Sequence, residues 1–599
     1  MSQRPESFSW RSLVPGGHLR TFPLGQHLRG YGAESLRHDA AAGVNVALLA
    51  IPQGMAYAMI AGMPHEGTGI LCSAVASVAG AVFAASRHTI LGPTNATALM
   101  AFSVSAGLAA SVPAALLLPA LVFLAGLFLI IGAGLRMADM VQYISRSVIV
   151  GYVAGAGLLI VAGQLRDVLG ITDGPRGTTF FSMLFNTLTS LESAHWWSAG
   201  LGVATAAGYM VLRRMAPRWP AFAIVLAGAA LVAALLPAGS GLARLHSFRP
   251  EELLPAAPGL TLGEGLEALS HLFGPAMALA FLAALESTVT GKALTGRTGA
   301  QASLNQDLLA SGIANVGCAF AGGVPASGSL TRSALNFTSG ARTPVSSLVC
   351  GLVCFAAALL LGPVMPFIPR PALAALVICL AASLINRRHL RICLRATRSD
   401  AITLAVTLAG TLLMPLHVAI FVGVAASVVL YLRKAARPTL VEYEFGADGA
   451  LQEKQQANGR QNPGISIVHV EGELFFGAAE LFRTQIQRTA QDENLKIIIL
   501  RMKNARHLDA TSVMALEELI GYLRSHGRHL LISGLSREVY RVLRNSGMVE
   551  VVGRDNIFMG SAMNPNISTR NALKRAQELL GTKNAEVRIF YDPAHERKE

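Results

Sequence analysis

Long apolar segments fill most of the first 430 residues and restrict what this part of the chain can form. About 20 apolar residues in helical form can cross a bilayer, where the backbone must satisfy its own hydrogen bonds. Two further apolar segments, 93–109 and 326–340, are interrupted by Gly and Pro. With them, the pattern predicts a polytopic α-helical membrane protein of about fourteen spans. The uninterrupted segments lie near 39–59, 67–86, 112–135, 146–165, 196–213, 219–237, 272–291, 305–321, 344–366, 370–386, 400–415 and 417–433.

Composition supports a membrane protein with a soluble part. Of 599 residues, 52% are hydrophobic and 14% are charged, whereas about a quarter of a soluble protein is charged. Charged residues are scarce up to about residue 430 and dense after it, which predicts at least two domains. The net charge of +14 could indicate nucleic-acid binding. Because basic loops on one side of a membrane account for most of the excess, we expect no nucleic-acid partner.

Basic residues also predict the orientation. Residues 1–38 are polar and lack the apolar core of a cleaved signal peptide, so we expect a cytoplasmic N-terminal segment. With that orientation, arginines collect on cytoplasmic loops, as the positive-inside rule requires. An even number of spans then places both termini in the cytoplasm, in the plasma membrane or, for a bacterium, the inner membrane. The arginines are Arg87, Arg136, Arg213, Arg214, Arg218, Arg297, Arg342, Arg387, Arg388, Arg391, Arg395 and Arg398.

The two interrupted segments predict a substrate site. Residues 92–97 read Gly-Pro-Thr-Asn-Ala-Thr, and residues 322–332 read Gly-Gly-Val-Pro-Ala-Ser-Gly-Ser-Leu-Thr-Arg. As the third and tenth of fourteen spans, they would occupy matching places in a seven-plus-seven inverted repeat, where transporters bind substrate. A helix that begins inside the membrane presents free N–H groups and about half a positive charge. Two such ends facing each other predict an anion site and an anion transporter.

Arg332 strengthens the prediction of an anion site. An arginine at membrane depth costs at least about 2.5 kcal/mol on insertion scales, so it is usually functional or paired. Its planar guanidinium suits an oxyanion, and two helix ends with Arg332 approach a charge of about +2, which matches a divalent oxyanion. The alternative is a structural ion pair with Glu286.

Glu286 is the candidate for coupling transport to an ion. It lies well inside a predicted span, and Thr290 follows four residues later on the same helical face. A carboxyl group in an apolar environment can take up a proton near neutral pH. Proton coupling is our preferred interpretation; Na⁺ held by Glu286 and Thr290, or a purely structural carboxylate, are the alternatives.

The first span contains an Ile-Pro-Gln-Gly motif at 51–54. Pro52 frees backbone carbonyls at membrane depth, which is tolerated where they face protein or a cavity. Gln53 offers a donor and an acceptor, which suits a polar substrate or a bond to a neighbouring helix. The residues leave both interpretations open.

Nothing in the sequence predicts catalysis. Metalloprotease and P-loop motifs are missing from it. Cys350 and Cys354 share a helical face without an accompanying His or carboxylate, so we predict small core residues rather than a metal site. We expect no catalytic residue, cofactor or metal, and a protein that is not an enzyme.

The motifs together resemble the SulP (sulfate permease) anion transporter family. The resemblance implies fourteen spans in core and gate subdomains that move as an elevator, over residues 39–437. The resemblance also implies that Glu286 occupies the position that couples transport to an ion in bacterial members of the family. The matching stretches are 47–58 (ALLAIPQGMAYA), 92–94, 285–287, 305–307, 322–333 (GGVPASGSLTRS) and 340–344. The implied site residues are Gln53, Tyr57, Thr94, Asn95, Ala96, Ser329, Leu330, Thr331 and Arg332.

The same resemblance favours proton-coupled symport of sulfate, because most prokaryotic relatives with this glutamate carry that assignment. Sodium-coupled bicarbonate transport is an alternative, although the relatives that do this have Asp at the position of Glu286. Proton-coupled transport of dicarboxylates is another. An anion channel, or a membrane sensor with a regulatory output domain, is the rival from a different class.

The C-terminal part predicts a small α/β domain. Residues 438–463 read as a polar linker, strand patterns follow at 465–470, 495–500 and 529–533, and helical patterns lie between them. Residues 464–560 resemble a STAS domain, through 472–477 (GELFFG) and 507–512 (HLDATS), which implies regulation and a homodimer. We predict Thr511 as a helix N-cap rather than a phosphorylation site. The tail at 561–599 receives no function.

Overall fold

The structure is a computed structural model, and its chain divides into two compact units, Met1–Ser427 and Val428–Glu599. Parts of the predicted N-terminal segment, linker and tail lie outside the residues that it describes. The described residues are 19–28, 30–108, 114–141, 144–172, 177, 179–216, 219–236, 241–253, 262–298, 303–436, 439–445, 451–453, 463–506, 508–561 and 566–581.

The first unit is helical, with two short strands, β1 (Leu91–Pro93) and β2 (Ala326–Gly328). Every predicted apolar segment coincides with a helix. Six described helices are long and apolar enough to cross a membrane. The helices are α1 (Leu24–His27), α2 (Ala33–Ala61), α3 (Gly67–Phe83), α4 (Asn95–Leu108), α5 (Ala114–Gly134), α6 (Met137–Val141), α7 (Arg146–Leu169), α8 (Phe180–Thr189), α9 (Trp196–Met215), α10 (Ala221–Leu235), α11 (Leu262–Thr298), α12 (Leu304–Phe320), α13 (Leu330–Thr338), α14 (Val345–Leu360), α15 (Arg370–Leu384), α16 (Arg387–Ala396), α17 (Arg398–Leu413) and α18 (Leu416–Ala435).

Helix packing in this unit depends on small residues. Helices α2 and α3 approach so closely that a Cβ atom at Gly69 would lie 1.9 Å from the Gly54 carbonyl oxygen. Helix α3 also packs on α14, and α5 packs on α12. Because a glycine has no Cβ, these backbones can meet where a larger residue would force them apart.

A second set of helices forms around α7, which packs on α9, α15 and α17. Gly151 lies against the backbone of Leu404, and a Cβ atom at Gly155 would lie 2.6 Å from Thr411 of α17. Small residues again set the distance between the helices. The first unit therefore contains two groups of mutually packed helices, one with α2, α3, α5, α12 and α14 and one around α7.

The second unit is an α/β domain, as the strand and helix patterns predict, and its described residues form a six-stranded sheet where three strands were expected. The strand order is β4-β3-β5-β6-β7-β8, with β5 to β8 parallel and β3 antiparallel to both its neighbours. The elements are β3 (Thr439–Phe445), β4 (Leu451–Glu453), β5 (Ile465–Glu473), α19 (Phe476–Thr489), β6 (Ile497–Arg506), α20 (Ala510–Ser525), β7 (His529–Leu535), α21 (Arg537–Asn545), α22 (Met548–Val552), β8 (Ile557–Met559) and α23 (Ile567–Leu580).

Two parts of this unit differ from the sequence-based expectation. Strands β3 and β4 lie inside the segment 438–463, for which a linker is predicted, and β3 pairs with β5. Polar residues in this segment hide the strand pattern, and β4 forms one edge of the sheet, where charged side chains are common. Helix α23, from the tail without an assigned function, covers one sheet face with Ala572, Leu573 and Ala576. The fold of this unit therefore extends at both ends beyond 464–560.

The STAS-like unit also buries a histidine in a polar cluster. His469 is only 2% exposed. Its Nε2 atom lies 3.1 Å from Glu471 Oε1 and its Nδ1 atom lies 3.1 Å from Arg501 Nη1. Burial and the Arg501 charge lower the pKa of His469 below its ordinary value of 6.5, while Glu471 opposes the shift. A neutral ring that accepts from Arg501 and donates to Glu471 satisfies both contacts.

The contact between α2 and α3 generates a prediction about stability. In Gly69→Ala, the new methyl group would overlap the Gly54 carbonyl, so we expect a loss of about 1–3 kcal/mol in the free energy of unfolding. The melting temperature of the full-length protein in detergent measures it. In the matched control Gly200→Ala, on α9, the Cβ atom meets nothing within 4 Å and alanine favours the helix. Equal melting temperatures for the two variants would contradict this account of the packing.

His469 makes the stability of the second unit depend on pH. Its folded pKa is lowered, so below pH 6.5 the unfolded chain takes up a proton that the folded chain does not. The free energy of opening β5 and β6, measured by hydrogen exchange in the full-length protein, should therefore fall from pH 7 to 5.5. His469→Gln should weaken this dependence, and His529→Gln, at an exposed position, should preserve it. An unchanged pH profile in His469→Gln would refute the assignment.

Candidate anion site

The two Gly/Pro segments meet inside the first unit. Each forms a three-residue strand followed by a helix, and β1 and β2 pair in antiparallel register, with Gly92 opposite Ser327. Helix α4 begins after β1, and α13 begins after β2 with Ser329 as its N-cap. Because the strands are antiparallel, α4 and α13 begin beyond opposite ends of a ladder that is about 7 Å long. Each Gly/Pro segment thus leads into a helix that begins beside the pair of strands.

A cavity with about 1030 Å³ of empty space, partly open to solvent, lies at these helix starts. Nine of the eleven residues proposed from the sequence line it, and Gln53 and Arg332 are not part of its wall. The nine are Tyr57, Thr94, Asn95, Ala96, Glu286, Thr290, Ser329, Leu330 and Thr331.

Glu286 of α11 connects the two interrupted segments. Its Oε2 atom accepts a hydrogen bond from Thr94 Oγ1 at 2.8 Å and another, short one from the Ser327 hydroxyl. Thr94 belongs to the turn after β1, and Ser327 is the central residue of β2. One carboxylate oxygen thus takes a donor from each segment. Ser327 lies within the motif seen in the sequence but was not among the predicted site residues.

Side chains of helix α11 also hold the backbone of β2. The Thr290 hydroxyl donates to the Gly328 carbonyl oxygen at 3.0 Å, and the Gly328 N–H donates to Ser287 Oγ at 3.0 Å. Thr290 is the proposed partner of Glu286 for a bound ion. In the structure its hydroxyl donates to β2 instead. Among the described residues, no hydrogen bond joins Thr290 to Glu286.

Asn315 of α12 is a positioning residue that sequence reasoning missed. Its Nδ2 atom donates to the Ala326 carbonyl oxygen at 2.8 Å, and the Ala326 N–H donates to its Oδ1 atom at 2.9 Å. The side chain is 1% exposed. It replaces the strand partner that β2 lacks on this side. An amide within an otherwise apolar segment is the signal that could have indicated it.

Arg332 lies behind β1. It is fully buried, and its Nη2 atom donates to the Pro93 carbonyl oxygen at 2.6 Å. A Cβ atom at Gly92 would lie 2.7 Å from Nη1, so glycine there makes room for the guanidinium. The predicted alternative, an ion pair with Glu286, is not formed among the described residues. Arg332 instead places its positive charge against Pro93, next to Thr94, which lines the cavity.

Gln53 is also buried without contributing to the cavity wall. It is 2% exposed, and its Oε1 atom has no hydrogen-bond partner in the part of the chain that the structure describes. Tyr57, one turn later on α2, does line the cavity. The first span therefore contributes one wall residue and one buried amide to the neighbourhood of the site.

The donors around the cavity determine its chemistry. Hydroxyl groups, an amide, two helix N-termini and the charge of Arg332 favour an anion, and Glu286 is the one carboxylate among the described lining residues. Clusters of three or more His, Cys, Asp or Glu side chains suited to a metal are not found in the described residues. The arrangement suits reversible binding of a small anion.

Thr511 is not the helix cap that the sequence predicts. Helix α20 begins at Ala510, and Asp509 is its N-cap, with Oδ1 accepting from the Ser512 N–H at 2.8 Å. Asp509 also accepts from the Phe476 N–H at 2.6 Å. A carboxylate can accept both bonds at once, so the helix begins earlier and leaves Thr511 exposed within its first turn.

Comparison with known proteins assigns both parts of the chain. Residues 36–407 match the sulfate permease family and residues 456–562 match the STAS domain. A protein named "Probable sulfate transporter Rv1739c", from Mycobacterium tuberculosis, is 30% identical over 539 residues, covering 89% of this chain and 95% of the relative.

Solved structures show the same fold. The murine Solute Carrier 26 family member A9 anion transporter, in an inward-facing state, matches with a TM-score of 0.84 and 20% identity, over 96% of each chain. The transmembrane domain of the cyanobacterium bicarbonate transporter BicA matches with a TM-score of 0.56 and 21% identity, over 66% of this chain and 98% of that one.

Fold, site and comparisons define a polytopic helical membrane transporter with a STAS domain. The chain belongs to the sulfate permease family of anion transporters. The resemblance stated from its motifs is thereby confirmed. Its relatives are transporters rather than enzymes, which agrees with the expectation that this chain is not an enzyme.

The two hydrogen bonds between Asn315 and Ala326 of β2 generate a prediction. Asn315→Asp keeps the size of the side chain but turns a carboxylate oxygen toward the Ala326 and Ser311 carbonyl oxygens. We expect a loss of about 3–5 kcal/mol in stability, as for an uncompensated buried charge, seen as a lower melting temperature. Asn386→Asp is the matched control, because Asn386 is an exposed N-cap of α16 where aspartate serves equally well. Equal stability of the two variants would refute the role of Asn315 in holding β2.

Proposed function

We propose that this protein is a secondary active transporter of small oxyanions, with its binding site at the facing starts of α4 and α13. The observation that carries the proposal is the meeting of two helix N-termini at a cavity whose polar wall is rich in hydrogen-bond donors. Arg332 adds charge from behind β1. Thr94, Ser329 and Thr331 offer hydroxyl donors to the anion, with Asn95 and Tyr57 beside them.

Sulfate is the substrate that we propose first. Two helix ends and Arg332 provide a charge of about +2, which a divalent anion neutralises. A relative that aligns over nearly its whole length is named as a sulfate transporter. Bicarbonate and small dicarboxylates are the alternatives, and the likeness to a bicarbonate transporter concerns the fold.

The hydrogen bonds of Glu286 support proton coupling. As a carboxylate, Glu286 occupies the Thr94 and Ser327 hydroxyl donors and places a negative charge beside the anion site. A proton on Glu286 would remove that charge and let both hydroxyls turn to the substrate. Anion and proton would then bind together, which is the condition for symport. Sodium is less favoured, because the Thr290 hydroxyl is already used by Gly328.

We further propose that the two helix groups of the first unit are the moving core and the static gate of an elevator. Helices α2, α3, α12 and α14 would belong to the core, and α7, α9, α15 and α17 to the gate. Residues 39–437 would form this transport domain as fourteen spans in an inverted repeat, with α4 and α13 as the broken third and tenth. Both termini would be cytoplasmic, in the plasma membrane or bacterial inner membrane. The STAS domain would support a homodimer and regulate transport.

The test is uptake of radiolabelled sulfate by the full-length protein in liposomes with an inward proton gradient, in competition with bicarbonate and fumarate. We expect gradient-stimulated uptake, lost in Arg332→Ala. Glu286→Gln, which resembles the protonated group, should still bind sulfate but should lose the gradient stimulation. The exposed Glu192→Gln is the control. Anion conductance that persists without a proton gradient in Glu286→Gln would favour a channel. Na⁺-driven bicarbonate entry would show that both the proposed substrate and the proposed coupling ion are wrong.

A further inference from the structure

Part of the cavity wall is formed by helices other than α4, α11 and α13 and has a different character. It is built from α7, the end of α15 and the start of α18, and its side chains are apolar apart from one tyrosine. That tyrosine is Tyr152 of α7, one of the helices that we assign to the gate. The apolar residues on this wall are Val148, Ile149, Val153, Ala156, Leu384 and Ile420.

The hydroxyl group of Tyr152 has no partner within the described chain. The side chain is 1% exposed, its oxygen is inaccessible to solvent, and no described donor or acceptor hydrogen bonds to it. A buried hydroxyl without a partner is unfavourable, so native proteins seldom keep one unless a ligand or water completes it. The neighbouring aliphatic side chains of the wall cannot do so. Because Tyr152 is one of the residues that line the cavity, a ligand bound there is the candidate partner.

An anion is the partner that suits this hydroxyl. A tyrosine O–H is a donor at neutral pH, and hydrogen bonds to charged acceptors are about twice as strong as those between neutral groups.

We propose that Tyr152 donates a hydrogen bond to the transported oxyanion from the α7 part of the cavity wall, and so selects anions that offer it a second acceptor oxygen. The proposal rests on the proposed function and adds a specificity residue to it. A tetrahedral oxyanion such as sulfate can direct one oxygen to the helix starts and another to Tyr152. A monatomic anion such as chloride is a single acceptor atom, so when it is bound at the helix starts it has no second acceptor for Tyr152.

The test compares Tyr152→Phe with the native protein, both full length. Dissociation constants for sulfate and chloride are measured in detergent by calorimetry, and half-saturation concentrations for sulfate are measured in liposomes. We expect sulfate to bind about tenfold more weakly, a factor that corresponds to about 1.4 kcal/mol, and chloride to change less than twofold. Without ligand, the melting temperature of the variant should equal or exceed the native one, because an unpaired hydroxyl has been removed.

The matched control is Tyr209→Phe. Tyr209 of α9 is also buried, at 8% exposure, and its ring meets the edge of Phe222 away from the cavity. This variant should bind both anions as the native protein does. It separates the loss of one hydroxyl from the loss of a contact with the anion.

The outcomes distinguish this inference from the proposed function. Unchanged sulfate affinity in Tyr152→Phe, or an equal loss for sulfate and chloride, would overturn the role of Tyr152 and leave the transporter proposal intact. A native protein that binds neither sulfate, bicarbonate nor fumarate would overturn the proposed function and this inference with it. A loss confined to oxyanions, with native stability, would support the selection.

Discussion

The hydrogen-bonded pair of short strands, β1 and β2, is the contact on which the candidate site depends. Both interrupt helices within an apolar interior, where each free backbone N–H and C=O group must find a partner. The two strands provide some of these hydrogen-bond partners to each other. Asn315, Ser287 and Thr290 satisfy the rest for β2, and Arg332 does so for Pro93. The helix starts are thereby held at one place.

The same arrangement keeps opposite charges apart. Arg332 lies behind β1 and Glu286 lies at the cavity, so neither neutralises the other through direct contact. A direct ion pair would leave little positive potential for an anion. Because the two groups have separate partners, the guanidinium stays available to attract an anion, and the carboxylate stays available for the proposed protonation. We regard this separation as the physical basis of the proposed coupling.

Much of the fold could be predicted because its signals are local. Apolar length predicts the helices between α2 and α18 except α6, α8 and α16, and alternation predicts strands β5, β6 and β7. Strands β3 and β4 lie in a polar stretch whose pattern is too weak to predict them. The cap of α20 was assigned to Thr511 instead of Asp509 because the sequence offers two capping residues close together. The number of spans and the inverted repeat stay predictions.

The sequence by itself determined that the chain is a membrane protein with an α/β domain, and that two Gly/Pro segments interrupt its helices. Only the tertiary structure decided which groups meet there. Thr94 and Glu286 lie 192 positions apart, and Pro93 and Arg332 lie 239 apart. Tyr152 faces the same cavity from a third region of the chain. Such contacts depend on how the helices pack, which hydropathy and spacing do not encode.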